Sequence, residues 1–98
     1  MVMTVLEARV SPERVGDLER AYRAAGASLP PGIVETFLAR DVRDAGVFRI
    51  VTIWESRGAL EAMRASEETP KGIVLFQEAG ASPEISIFEV LAHHESTR

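Results

Sequence analysis

The chain contains no cysteine, which excludes disulfides, thiolate nucleophiles and thiolate metal sites together. Asparagine is missing as well, and with it a common side chain for orienting a substrate carbonyl. No apolar run approaches the roughly 20 residues that a bilayer span requires, which argues against a membrane protein. A strand-like pattern begins at Val2 and leaves no room for a signal peptide, so a cytoplasmic location is expected. Basic residues form no cluster: acids and bases interleave, the net charge is −4, and nucleic-acid binding is not expected. Ten of the 11 basic residues are arginine, a bias of the kind that genome base composition produces. Aromatic residues are scarce at 6%, with one tryptophan and one tyrosine.

What remains is an ordinary globular balance, 46% hydrophobic and 27% charged over 98 residues. That length predicts one domain spanning residues 1–98, with residues 93–98 as a frayed tail. A domain this small buries a limited share of its surface, so a partner chain would help it.

Thr4, Leu6, Ala8 and Val10 share one face of a first strand over residues 2–10, opposite Val5, Glu7 and Arg9. Ser11-Pro12-Glu13 then reads as a helix start, with a serine cap, proline at the first helical position and an early acid. Val15, Leu18, Tyr22 and Ala25 recur at helical spacing, and Gly26 with Pro30-Pro31-Gly32 ends the helix. Ile33 to Val42 reads as a second strand, Asp44-Ala45-Gly46 as a hairpin connection, and Val47 to Glu55 as a third strand. Ser56 is positioned to cap a second helix bearing Leu60 and Met63 on one side. Pro70 interrupts this helical region, Ile73 to Phe76 resume it, Gly80 to Pro83 turn, and Ile85 to Ala92 form a fourth strand.

The order βαββαβ predicts an α+β, ferredoxin-like fold, a four-stranded antiparallel sheet with its helices on one face. Val5, Val34, Leu38, Val51, Ile53, Ile87 and Leu91 suggest that the uncovered face is also partly apolar. Monomers rarely leave such a patch open, so the economical expectation is a symmetric homodimer packed sheet against sheet. Glu7, Arg9, Glu35, Arg40, Arg49 and Glu89 would lie on or near that interface and pair across strands.

The richest local feature is Trp54-Glu55-Ser56, where a strand ends in the sole tryptophan and a helix begins. Trp54 has two compatible roles there, as an anchor packed on the second helix and as the wall of a pocket that stacks on a planar ligand. Phe48, Thr52, Leu6 and Met63 are expected on the helix-covered side with Trp54, lining an apolar cavity with one hydroxyl. The same set is equally a plain core. Tyr22 reads as core with a hydroxyl able to reach the pocket. His93 and His94 are neighbours whose side chains point to opposite faces of a strand, so they cannot jointly hold an ion, and no metal site is expected. Either could serve as a base, since imidazole titrates near neutrality.

Trp54-Glu55-Ser56 followed by Leu60-Glu61-Ala62, set in a βαββαβ order that covers nearly the whole chain, resembles the antibiotic biosynthesis monooxygenase family of dimeric α+β barrels. The resemblance implies a pocket between sheet and helices in each protomer and a barrel formed by two sheets across a dimer. It also implies oxidation of aromatic or quinol-type substrates by dioxygen, commonly without metal or flavin. The family's polar residues carry over poorly. Polyketide-oxidising members have a tryptophan at Trp54, an asparagine matching Ile50 and a tyrosine matching Leu60. Quinol-oxidising members carry histidines matching Met63 and Glu68. Haem-degrading members need an asparagine, a tryptophan and a histidine where this chain has Leu6, Met63 and Ile73, so haem degradation is not expected.

Two functions follow from these residues. The first is a cofactor-independent monooxygenase acting on a small aromatic or quinol, with Trp54 stacking, Tyr22 and Thr52 orienting, and a histidine removing the proton. The second is a non-catalytic dimeric protein that binds a small apolar metabolite or serves as an accessory subunit.

Overall fold

The computed structural model describes residues 1–66 and 69–97. Glu68, matched above to a histidine position, and Arg98, at the end of the expected tail, lie outside these residues. The elements are β1 (Val2–Arg9), α1 (Val15–Ala25), β2 (Ile33–Arg40), β3 (Val47–Trp54), α2 (Arg57–Ser66), α3 (Lys71–Glu78) and β4 (Glu84–Glu89). The four strands form one antiparallel sheet in the order β2-β3-β1-β4, the expected ferredoxin-like α+β arrangement, and the sheet is not closed.

Alternation decides which face the helices cover. Val2, Thr4, Leu6 and Ala8 of β1 are buried, as are Phe48, Ile50, Thr52 and Trp54 of β3, while the residues between them remain partly or fully exposed. Above this face the core forms two separate clusters. The larger joins Leu6, Ala8, Val10, Phe48 and Ile50 to Leu18 of α1 and Phe76 of α3. The smaller joins Val2 and Trp54 to Leu60 of α2, with Ile33, Ala59 and Met63 packed against it.

Local chemistry sets several boundaries differently from the sequence pattern. The Ser11 hydroxyl caps nothing; its carbonyl accepts the Arg14 N–H at 2.9 Å, and a short 3₁₀ turn, Pro12–Arg14, precedes α1. Ser56 does cap α2, its Oγ accepting the Ala59 N–H at 3.0 Å. The hairpin begins at Asp41 rather than Asp44, because the Asp41 carboxylate accepts the N–H groups of Arg43 at 2.7 Å and Asp44 at 3.0 Å. Val42 is thereby expelled from β2 and is fully exposed. β4 stops at Glu89 instead of Ala92, since β1 offers no partner beyond Met1, whose carbonyl takes the Val90 N–H at 3.1 Å.

A bulge between Ile33 and Glu35 changes the phase of β2. It puts Leu38 opposite Ile50 and Arg40 opposite Phe48, on the helix side rather than the open face. Ile87 and Glu89, opposite Thr4 and Val2, likewise lie on the helix side, and Leu91 lies beyond the strand. The open face instead carries Met3, Val5, Phe37, Val51, Ile53 and Phe88, together with Arg49 between Glu7 at 2.7 Å and Asp41 at 2.9 Å. Arg49 holds the Asp41 carboxyl below its ordinary value, helped by the two backbone N–H groups, and Arg9 does the same for Asp44.

α2 approaches the end of β2 across Gly32, which has φ +91°. A Cβ built there would stand 2.5 Å from the Ala59 Cβ, so both the backbone and the space require glycine. Gly32→Ala should therefore lower stability by roughly 1–3 kcal/mol in urea unfolding. Gly26→Ala, at φ −62° with nothing within 4 Å, should be neutral or stabilising by up to about 1 kcal/mol.

Candidate functional site

Between sheet and helices lies a cavity of about 430 Å³, lined by members of both core clusters. Its floor is the stretch of sheet where the apolar residues give way to threonine. On β1, Thr4 separates Val2 from Leu6; on β3, Thr52 separates Trp54 from Ile50; on β2, Thr36 separates Ile33 from Leu38. Pairing aligns Thr36 with Thr52 and Thr52 with Thr4, so the three form a row across three strands. Strand alternation presents all of them to the helix side, and the hollow stands over that row.

These hydroxyls are held in two short networks. The Tyr22 hydroxyl, reaching down from α1, donates to Thr36 Oγ1 at 3.2 Å, and Thr36 Oγ1 is 3.2 Å from Thr52 Oγ1. Trp54 Nε1 donates to Thr4 Oγ1 at 3.2 Å. Tyr22 has spent its hydrogen on Thr36. Whichever threonine of the next pair donates, one hydrogen of that pair is left over, and the Thr4 hydrogen is left over too. The floor of an otherwise apolar hollow thus offers hydroxyl hydrogens to an oxygen on a ligand.

The walls come from the helices and from the turn after α1. Leu60 and Met63 project from α2, Ile73 and Leu75 from α3, and Leu29 and Pro30 from the turn. Gly72 lets α3 close on β1, since a Cβ there would meet Leu6 Cδ1 at 2.6 Å. Two cations, Arg64 and Lys71, complete the lining, which holds no Asp, Glu or His among the described residues.

Of the expected pocket residues, Trp54, Thr52, Tyr22, Met63 and Leu6 all line this cavity. Phe48 does not. It is buried in the larger cluster on the far side of Ile50, under the Arg40 guanidinium, whose carbon stands 4.9 Å from the ring centroid. Phe48 contributes to a separate hollow of about 340 Å³ between α1 and β2. Sharing a strand face with Trp54 was not enough, because Phe48 lies one step beyond Ile50 on that face and packs into the larger cluster instead. His93 and His94 follow the end of β4, are exposed and are not among the lining residues. Thr36 and Thr4 went unrecognised in the sequence, although a hairpin closing Asp41 on Val47 would by counting have put Thr36 opposite Thr52. Arg64 and Lys71 had no local signal.

The family model described as antibiotic biosynthesis monooxygenase matches residues 1–72. No curated protein matches the sequence. Among solved structures, a Deinococcus radiodurans protein classed with the antibiotic biosynthesis monooxygenases superposes over 100% of both chains, with TM-score 0.77 and 19% identity. A mutant of MhuD, with two manganese protoporphyrin IX molecules bound per active site, covers 98% of this chain and 100% of its own at TM-score 0.75 and 22% identity. A mutant of SnoaB, a cofactor-independent oxygenase from Streptomyces nogalater, covers 94% of both at TM-score 0.72 and 17% identity. At such identities the likeness is one of fold.

The hydroxyl network yields a direct test. Tyr22→Phe removes one donor and should cost about 0.5–1.5 kcal/mol in urea unfolding, whereas Thr36→Val strips both neighbours of a partner and should cost about 1–3 kcal/mol. The double variant should lose less than the sum of the two, as a shared bond requires.

Proposed function

The chain belongs to the antibiotic biosynthesis monooxygenase family, and from that premise we propose that its cavity takes a small planar aromatic or quinol-type metabolite and oxidises it with dioxygen, using no metal or flavin. The observation that carries this reading is the hydroxyl row beneath Trp54 in an otherwise apolar hollow. A flat ring fits the apolar walls and stacks on the indole, while a ring oxygen accepts the hydrogen left over on the Thr36–Thr52 pair or on Thr4. Exclusion of water then favours electron transfer from the deprotonated ring to dioxygen. Overall, a phenol acting through its keto tautomer presents a ring CH₂ that with O₂ becomes a ring C=O and water, so one oxygen atom enters the substrate. A quinol instead gives two electrons and two protons to O₂ and leaves as a quinone with hydrogen peroxide. No carboxylate or imidazole is among the described lining residues, and in this reading the substrate's own acidity, favoured by the nearby cations Arg64 and Lys71, supplies the anion.

The same absence of a base, together with the missing asparagine, favours the second reading, a non-catalytic protein that binds the ring without turning it over. Haem is a poorer candidate than either. Leu6, Met63 and Ile73 occupy the positions that haem-degrading relatives fill with asparagine, tryptophan and histidine.

If the cavity binds rings, titration with naphthols or quinols should change Trp54 fluorescence, and Trp54→Ala should weaken binding, read by calorimetry, by about 1–3 kcal/mol. An oxygen electrode then separates the two readings, since uptake supports catalysis and binding without uptake supports the carrier.

Assembly is part of the same proposal. A second copy packed on Met3, Val5, Phe37, Val51, Ile53 and Phe88 would cover the apolar open face and close the two sheets into a dimeric α+β barrel. Light scattering at micromolar concentration should give a dimer mass, and Phe37→Glu with Phe88→Glu should shift it to the monomer. A wild-type monomer would refute the assembly.

A further inference from the structure

The geometry points to a proton path from the cavity floor to solvent through Thr52, Thr36 and Tyr22. The inference rests on the reading of the cavity as a ring-binding site and adds the route by which its ligand loses a proton. Among the described residues, the cavity and the smaller hollow between α1 and β2 share one lining residue, Tyr22. Its side chain is thus the partition between them. On the cavity side the Tyr22 hydroxyl donates to Thr36 Oγ1 at 3.2 Å, and Thr36 Oγ1 lies 3.2 Å from Thr52 Oγ1 at the floor. On the far side the smaller hollow opens to water, since Glu19, Arg23, Ala39 and Arg40 line it and all four are exposed. Glu19, three residues before Tyr22 on α1, sets a carboxylate in that outer hollow.

A hydroxyl both gives and accepts a hydrogen, so this row has two settings. In the outward setting a ring hydroxyl donates to Thr52, Thr52 to Thr36, Thr36 to Tyr22, and Tyr22 to water or the Glu19 carboxylate in the outer hollow. Each hydrogen then moves one place along. At every oxygen of the row one O–H bond breaks and one forms, the ring is left as an oxyanion, and the outer acceptor holds the proton. The row is left in its inward setting, with Tyr22 donating to Thr36, Thr36 to Thr52, and Thr52 to the oxyanion just made. That is the direction in which Tyr22 and Thr36 are bonded here. Both contacts are long for O–H···O bonds, and the pull of a developing oxyanion on Thr52 shortens them in series.

The fluorescence of bound 2-naphthol tests the path without any oxygen chemistry. Electronic excitation makes its hydroxyl a strong acid, so naphtholate emission reports a proton that has left during the excited lifetime. With protein in excess and excitation beyond the indole band, the wild-type complex should emit chiefly as naphtholate. Tyr22→Phe and Thr36→Val each cut the row and should lower the naphtholate-to-naphthol ratio about tenfold or more, a modest part of what a positioned acceptor contributes to proton transfer. Thr36→Ser keeps a hydroxyl and should preserve the ratio. The ratio is read from bound ligand, so a change in affinity does not enter it, and binding itself shows that a variant is folded. Tyr22→Phe, the milder substitution, decides alone if Thr36→Val does not fold. Naphthol emission alone from the wild-type complex would overturn the path and leave the ring-binding reading standing. So would naphtholate emission that survives Tyr22→Phe or Thr36→Val, as it would if the proton passed to water inside the cavity. Failure of the wild type to bind 2-naphthol would remove the ring-binding reading, and the path with it.

Discussion

The site depends on one constraint, the pairing register that sets Thr36 opposite Thr52 and Thr52 opposite Thr4. A slip of one residue on either side would turn a threonine to the open face and an apolar residue to the floor. The register is itself held by chemistry at the strand ends. Asp41 caps the β2–β3 hairpin through two backbone N–H groups and pairs with Arg49, which also holds Glu7 of β1. One arginine on the open face thus ties together the three strands, or their immediate ends, whose other face carries the hydroxyls.

The threonine row also explains why this small core is divided. Hydroxyls do not merge with the aliphatic packing on either side, so a larger cluster gathers beneath α1 and α3 and a smaller one around Trp54 and Leu60. The hollow occupies the seam. A void is unfavourable in a chain of this size, because its lining forgoes contacts that a filled core would make. Among the described residues no buried side-chain nitrogen or oxygen lacks a partner, so the seam is polar without being unsatisfied. A hollow whose polar groups are already bonded is preorganised: a ligand has only to accept hydrogens that the networks leave over.

Charge is distributed to suit the same division. Acids and bases pair along the open face and on α1, where Asp17 lies within reach of Arg14 and Arg20. The cavity rim, by contrast, holds two cations from different helices and no described acid.

Much of this was legible in the sequence because it is local. The element order, the buried faces of β1 and β3, the Ser56 cap and the placing of Trp54, Thr52, Leu6, Tyr22 and Met63 on the helix side follow from periods of two and 3.6 and from side-chain reach. The lack of cysteine and asparagine likewise bars thiolate chemistry and an asparagine amide wherever the chain goes. Other features depended on relations between distant segments. A bulge at Ile33/Glu35 inverted the expected sides of Leu38 and Arg40, and β1 determined that Ile87 lies with Thr4. Phe48 shares the face of Trp54 but lies beyond Ile50 in the larger cluster, while Arg64, near the end of α2, and Lys71, at the start of α3, line one hollow only through the packing of two helices. Alternation tells which side of a strand a residue occupies; turn geometry and helix packing decide what stands next to it across the sheet.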